Sequence, residues 1–377
     1  MSRFYLQPTL LAQSGLLTFL PQMTPQIKPF KTFQQQAQLL LSRGMTSAST
    51  HSDQHLAEQI AKDLSFINYY RMSAYWYAYR KKTADGKYTN QFKSNTYWET
   101  IRNLYMFDRR LRSILFDAIS RIEIALRTQL AHHWAKDTGS STPQNDTRCY
   151  NSAFCTSKQS TNSKQRKKSR YEVLLEKVNK YYNSANDDVS KHHLEVYGIT
   201  QAENLPIWVF IEYTTFGNLA ALLADGLFPK TVETIAQNFG FSNSSIFIST
   251  INLLNDVRNI CAHQGRLWNR YWLTPKGAHF LKNPAPCFSE WNFSFDAERN
   301  RWQKEPMQNR RERLHHNNYQ TAAVLTMCNI LLKSAASRSK WSQRLKKLLS
   351  EDLAPLPDIY RYIGFTNSNW HTHPLWL

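Results

Sequence analysis

Arg258, Asn259 and His263 fall within six residues, at the end of an apolar run over 246–260. A histidine titrates near neutrality and moves protons. An arginine is a fixed positive charge that grips a phosphate through two parallel N–H groups. On a strongly basic chain the pair points to phosphodiester chemistry. The reaction that fits is metal-independent RNA cleavage, in which a ribose 2′-hydroxyl attacks the adjacent phosphate and leaves a cyclic phosphate. His263 would be the general acid/base, Arg258 would bind or polarise the phosphate, and Asn259 would orient the motif. No acidic cluster suits a metal, so neither a metal nor a cofactor is expected. The bland reading of His263 is a histidine hydrogen-bonded at a helix end.

Spacing alone does not select this motif. Arg-x4-His occurs four times, at Arg127/His132, Arg258/His263, Arg310/His315 and Arg311/His316. Five residues turn an ideal helix by about 500°, which sets Arg258 and His263 about 140° apart. Asn255, Asn259 and His263, at steps of four, share a face instead. A polar stripe on an otherwise apolar helix is costly unless it is hydrogen-bonded or hydrated. The stripe must therefore face water, line a cleft or cap a neighbour. Arg258 can reach it if the helix distorts or ends near Gly265, because its side chain is long.

The positioning elements read as helices. Residues 31–42 form a short one stopped near Gly44, and 53–64 a second. The best spans 96–136, with Leu104, Phe107, Leu111, Leu115, Ala118, Ile122, Ala125 and Leu130 at steps of three to five. Its exposed faces are expected to carry Arg109, Arg110, Arg112 and Arg121. Glu123 and Arg127 stand four apart in the favoured acid-first order, and Gly139 ends the helix. Helical pattern resumes over 171–193. Pro206 suits a helix start, and a short helix follows Pro229. Two more close the chain, near 319–335 and 339–350. Strand signals are few and glycines number only 11 in 377 residues, so the fold class is all-α.

Three stretches stand apart. Residues 67–80 hold six aromatics in eleven positions, Tyr69 to Tyr79. They form either a core element or a stacking surface for unpaired bases beside Arg71, Arg80, Lys81 and Lys82. Residues 137–170 are polar and include Lys164, Arg166, Lys167, Lys168 and Arg170 without an acid in that run; a mobile loop or an RNA-contacting arm is expected. A further basic stretch over 299–313 contains Arg310 and Arg311. The organisation expected is a poorly ordered tail at 1–27, a helical domain at 28–335 with a basic insert at 137–170, and a helical extension at 336–377.

Lys plus Arg is 47 against 28 acidic residues, a formal charge of +19. That excess concerns partners rather than fold. RNA, DNA and anionic membrane are the candidates. Membrane is the weakest, since no run of about 18 apolar residues occurs. The five cysteines, Cys149, Cys155, Cys261, Cys287 and Cys328, include no pair at zinc-ligand spacing. Reduced thiols in a cytoplasmic protein are expected.

The run Arg258-Asn259-Ile260-Cys261-Ala262-His263, followed by Arg266-Leu267-Trp268-Asn269-Arg270, resembles the signature of AbiD/AbiF-type abortive-infection proteins of the HEPN superfamily. Three further blocks match in order: 67–80; 104–130, with Asp108-Arg109-Arg110-Leu111-Arg112 and Arg121-Ile122-Glu123-Ile124-Ala125-Leu126-Arg127-Thr128; and 206–219. The resemblance covers about residues 28 to 335. It departs at Ala74, where a glycine is common, at the insert over 137–170, and in the N-terminal tail.

The resemblance implies an all-α, HEPN-type helical bundle with additional N-terminal and C-terminal helices. It implies a role in bacterial anti-phage defence, with RNA as substrate and a bound small non-coding RNA as a further partner, as in toxin–antitoxin pairs. It also implies a homodimer whose site forms across a two-fold axis. Arg258, Asn259 and His263 carry over as catalytic residues, with Asn255, Glu123 and Arg127 in support. Arg71, Arg80, Arg266, Arg270, Arg310 and Arg311, with the 164–170 cations, are the expected RNA contacts. A non-cutting HEPN scaffold that sequesters a small RNA is the rival.

Overall fold

The computed structural model describes residues 28–49, 52–157, 168–270, 272, 293–296, 301–304, 320–351, 363 and 376. The fold is all-α and is organised round one long helix, α4 (Trp98–Thr138). Its 41 residues amount to about 60 Å at 1.5 Å per residue. Leu104, Phe107, Leu111, Leu115, Ala118, Ile122, Leu126 and Leu130 of α4 are all buried. The apolar spacing thus becomes a continuous stripe that neighbouring helices cover. Gly139 ends it in the left-handed conformation (φ 65°), which an L side chain adopts only at a cost.

Upstream, α1 (Phe33–Ser42) and α2 (Asp53–Phe66) pack as a pair. Thr32 and Gln35 close a capping box at the start of α1. The aromatic stretch divides. Asn68 caps α3 (Tyr69–Trp76), a 3-10 turn follows, and the chain enters β1 (Arg80–Lys82), which pairs antiparallel with β2 (Tyr88–Phe92). Nothing in the sequence pattern anticipates this hairpin. Met72, Tyr75 and Trp76 are core, while Tyr70 and Tyr77 remain exposed, so the stretch is both a core element and an aromatic surface.

Residues 137–157 are not the mobile loop expected. They form two 3-10 turns and α5 (Ser152–Cys155), and they bury Gln144, Tyr150 and Phe154. Packing overrides their polar composition. Tyr150 meets Trp134 edge-on at 4.9 Å between ring centroids, and Gln144 Nε2 donates to the Glu203 carbonyl at 3.0 Å. The helical pattern over 171–193 is two helices, α6 (Arg170–Ser184) and α7 (Asp188–Tyr197), because Asp187 caps a new start.

Short α8 (Ile207–Phe210), α9 (Phe216–Ala221) and α10 (Pro229–Asn238) lead to α11 (Ser244–Ala262), which carries the motif. Strands β3 (Phe293–Asp296) and β4 (Arg301–Lys304) form a second small hairpin. Helices α12 (Gln320–Ala335) and α13 (Trp341–Glu351) both pack on α4. Trp341 Nε1 donates to the Ile114 carbonyl at 2.8 Å, and Arg344 pairs with Asp117. The region read as a C-terminal extension therefore shares the α4 core. The N-terminal tail lies outside the described residues.

No single helix among the described residues is long and apolar enough to cross a membrane. The bent pair 207–213 and 216–226 is apolar enough, but Phe210, Phe216, Leu219 and Leu222 are buried in the bundle.

Candidate functional site

The motif stands where α11 ends against α4. His263 is the C-cap of α11, its N–H donating to the Asn259 carbonyl. Asn259 and His263 are exposed and Arg258 is half-buried. The polar stripe thus opens outward along its length. At its inner end Asn255 is half-buried against Gly217, where an added Cβ would sit 3.6 Å from Asn255 Oδ1.

Arg258 does not stand alone. Its Nε lies 3.8 Å from Glu123 Oε2 and its guanidinium lies over the Phe116 ring at 5.9 Å. Glu123 is 7% exposed. The same carboxylate accepts Arg127 Nη2 at 2.7 Å through its other oxygen, Oε1. Arg127 Nη2 also donates to the Thr214 carbonyl at 3.0 Å, and its Nε is 3.8 Å from the exposed Glu212. Two arginines, from α4 and α11, therefore converge on one buried carboxylate. The Nε atoms of Arg258 and Arg127 are both buried and make no hydrogen bond. A half-buried guanidinium beside a water-open histidine is the pairing a phosphate would call for.

A second cluster, beside this one, holds the segment that follows His263. Asp108 on α4 is fully buried. It accepts the Tyr75 hydroxyl at 2.6 Å, the Trp268 N–H at 2.7 Å, the Leu267 N–H at 3.2 Å and Arg112 Nη1 at 2.5 Å. Burial pushes the Asp108 carboxyl up, but these donors favour its ionised form. The arginine and the two amides can only donate, so an acceptor-only carboxylate is what they fit. Tyr75, beside that charge and buried, is raised far above the usual phenol range. Arg112 Nη1 also reaches the Gly265 carbonyl at 3.4 Å.

Two arginines expected to contact RNA also serve this clamp. Arg71 donates to the Gln264 carbonyl, and Arg266 donates to the Ala74 carbonyl at 3.0 Å while lying over the Trp268 ring. The clamped turn is strained: Gln264 and Asn269 have φ of 57° and 50°. Gly265 is required there, since a Cβ would meet Ile260 Cγ2 at 2.9 Å and the Ile260 carbonyl at 3.3 Å.

Arg112 departs from the expectation of an exposed face, for it is 3% exposed. Asp108 needs a counter-ion one turn away, and that need outweighs the preference of arginine for water. Asp108 and Tyr75 build the site without having been expected to. The signal is present in the sequence, because Asp108 sits four after Leu104 and three before Leu111, on the core stripe where a charge demands a partner.

The other expected contacts are placed as follows. Arg80 lies half-buried over the Tyr77 ring, and Arg270 lies over Trp272 with Nη1 donating to the Arg266 carbonyl at 3.3 Å. Lys168 pairs with Glu176 at 2.6 Å, and Arg170 with Asp225. Lys164, Arg166, Lys167, Arg310 and Arg311 lie outside the described residues. Cys261 and Cys328 are buried free thiols, and burial pushes Cys261 up to about 12. Among the described residues no three His, Cys, Asp or Glu side chains are grouped to hold a metal ion.

The fold and site define a helical protein whose arginine–histidine motif is braced by two buried acid–base clusters. The family model described as Abi-like protein matches residues 62–269, more than half of the chain, and the chain belongs to that family. No curated protein and no solved structure matches it. The matched span begins within α2 and ends just past Trp268, so it takes in both clusters and the turn between them.

Proposed function

We propose that this protein is a HEPN-type, metal-independent endoribonuclease acting in abortive infection. The observation that carries the reading is the convergence of Arg258 and Arg127 on Glu123 beside the exposed Asn259 and His263. Glu123 hydrogen-bonds Arg127 and Glu212 also stands 3.8 Å from it, whereas Arg258 lies 3.8 Å from Glu123 without a hydrogen bond. Its half-buried guanidinium can then take a phosphate that approaches from the side of the exposed Asn259 and His263. Arg258 then stabilises the charge that builds on the phosphorus oxygens, His263 transfers protons, and Asn259 orients the motif. The formal charge of +19 favours a polyanion as partner.

Strand scission takes a base and an acid in one turnover. A homodimer that places two α11 ends across a two-fold axis would supply two histidines and two arginines round one phosphate. A second reading rests on a specific contact. Arg127 shares Glu123 with Arg258, so a site within one chain would draw on the Arg127/His132 pair of α4. His132 is exposed on that helix and could provide the second proton carrier.

Purified His263→Ala and Arg258→Ala variants, with unchanged circular dichroism, should lose cleavage of cellular RNA by about 10²–10⁴-fold. Wild-type cleavage by both would reject the reading. RNA binding without cleavage, in wild type and variants alike, would leave a scaffold that holds a small RNA. Light scattering with His132→Ala separates the two geometries. A monomer that cuts and loses cutting on His132→Ala carries the site in one chain; a dimer indifferent to His132 carries it across the axis.

A further inference from the structure

A cleft lies beyond α3 from the motif, bounded by α1, α3 and the β1–β2 hairpin. It measures about 580 Å³, within the roughly 300–1,000 Å³ usual for small-molecule sites. Its lining includes four cations, Lys28, Lys31, Arg43 and Arg80, and no acidic residue. Three aromatic rings in the same lining stay in water although rings of that size normally bury: Phe30 is 89% exposed, Tyr70 64% and Phe33 48%. Arg43 and Arg80 are half-buried at the floor, and Lys28 and Lys31 stand exposed at the rim. Arg80 Nε is buried without a hydrogen-bond partner, and Arg43 Nη1 donates to the Tyr69 hydroxyl at 3.1 Å. Lys28 lies 6.0 Å from the Tyr70 ring centroid.

We propose that this cleft binds an unpaired nucleotide, its phosphate held by Arg43 and Arg80 and its base stacked on Tyr70 and Phe30. Uncompensated cations at the floor call for an anion, and exposed rings at the mouth call for a flat apolar partner. A nucleotide carries both within one residue. Residues 1–27, which precede the cleft in sequence, contain no Asp or Glu, so that segment brings no side-chain carboxylate to these cations. The site is coupled to the motif through α3. That helix presents Tyr69, Tyr70 and Ser73 to the cleft, while its Arg71 and Ala74 hold the Gln264–Arg266 turn. A nucleotide in the cleft would fix α3 and with it the turn after His263.

The nucleotide could be free or part of a single strand, and the chemistry of recognition is shared. The proposal does not depend on cleavage: a protein that never cuts would still fill this cleft. The test is binding by the full chain carrying His263→Ala, read by fluorescence anisotropy of a labelled six-nucleotide unstructured RNA. Unlabelled adenosine monophosphate is the competitor. Tyr70→Ala, at an exposed position, should weaken RNA binding by about 5- to 150-fold, the range for removing one stacked base–ring pair. Arg80→Gln should lower the log–log salt slope by about 0.7, the value for one phosphate on a single strand. Competition by the mononucleotide identifies a free nucleotide as a ligand; binding of the strand without competition identifies the strand. Either supports the site. Unchanged affinity and salt slope in both folded variants, or no binding of either probe, would overturn it.

Discussion

The Asp108 carboxylate accepts the Trp268 N–H at 2.7 Å, joining the N-terminal third of α4 to a turn 160 residues further along the chain. That bond, with those from Tyr75, Arg112 and Leu267, fixes where α11 stops and hence where His263 opens to water. Asp108→Ala would leave the Arg112 charge buried beside a cavity. It should destabilise the protein by about 3–5 kcal/mol, measured as a lower urea midpoint. A loss below about 1 kcal/mol would show that the cluster is not the anchor of the turn.

Glu123 holds Arg127 and Arg258 at once, so these three side chains should act as a unit. Arg127→Ala and Arg258→Ala are expected to be non-additive in stability by about 0.5–3 kcal/mol, because each alters how the remaining guanidinium shares the carboxylate. Glu123→Gln should destabilise and should also raise RNA affinity at low salt, since it removes the acid that competes with phosphate. Additive double-variant energies would mean that the convergence has no energetic content.

The basic run at 164–170 divides at Lys168. Ser169 accepts the Glu172 N–H and caps α6, Lys168 and Arg170 are paired with Glu176 and Asp225, and only the residues before 168 lie outside the described structure. Ser169→Ala should cost about 1 kcal/mol in stability, as for a lost helix cap. Neutralising Lys164, Arg166 and Lys167 to glutamine should leave stability unchanged. It should flatten the salt dependence of RNA binding by about 0.7 for each phosphate no longer neutralised. An unchanged slope would reduce this run to a solvated segment.

Asp117 ties α13 to α4. Partial burial pushes its carboxyl up, but Arg344 and Arg121 outweigh this and hold it below the usual carboxylate range. A depressed acid contributes stability that is present above its unfolded pKa and lost as pH falls through the folded one. Docking of α13 should therefore weaken only in acid, below about pH 4, the ordinary carboxylate range. Asp117→Asn should remove that acid step from the pH profile of hydrogen exchange in α13. A step that persists in the variant would assign it to another group.

The sequence by itself was enough for the helical class, for most helix starts and for the motif. Those properties are local. Apolar residues at steps of three and four, Pro206 and Pro229 at helix starts, and Gly139 as a stop act within a few residues of themselves. The Abi-like blocks were legible too, as ordered runs of residue types. What tertiary structure decided is which charges are spent inside. Asp108 stands on the apolar stripe of α4 while Arg112 looks like a surface residue one turn on, and only the arrival of the 264–268 turn supplies the donors that make them a buried, satisfied pair. Arg71 and Arg266 look like free cations and are committed to backbone carbonyls. The 137–157 stretch looks polar and loose, yet Trp134 and Glu203 supply partners that no local rule could foresee. The desolvation of a charge depends on residues distant in sequence, so its role becomes visible only when the chain has folded round it.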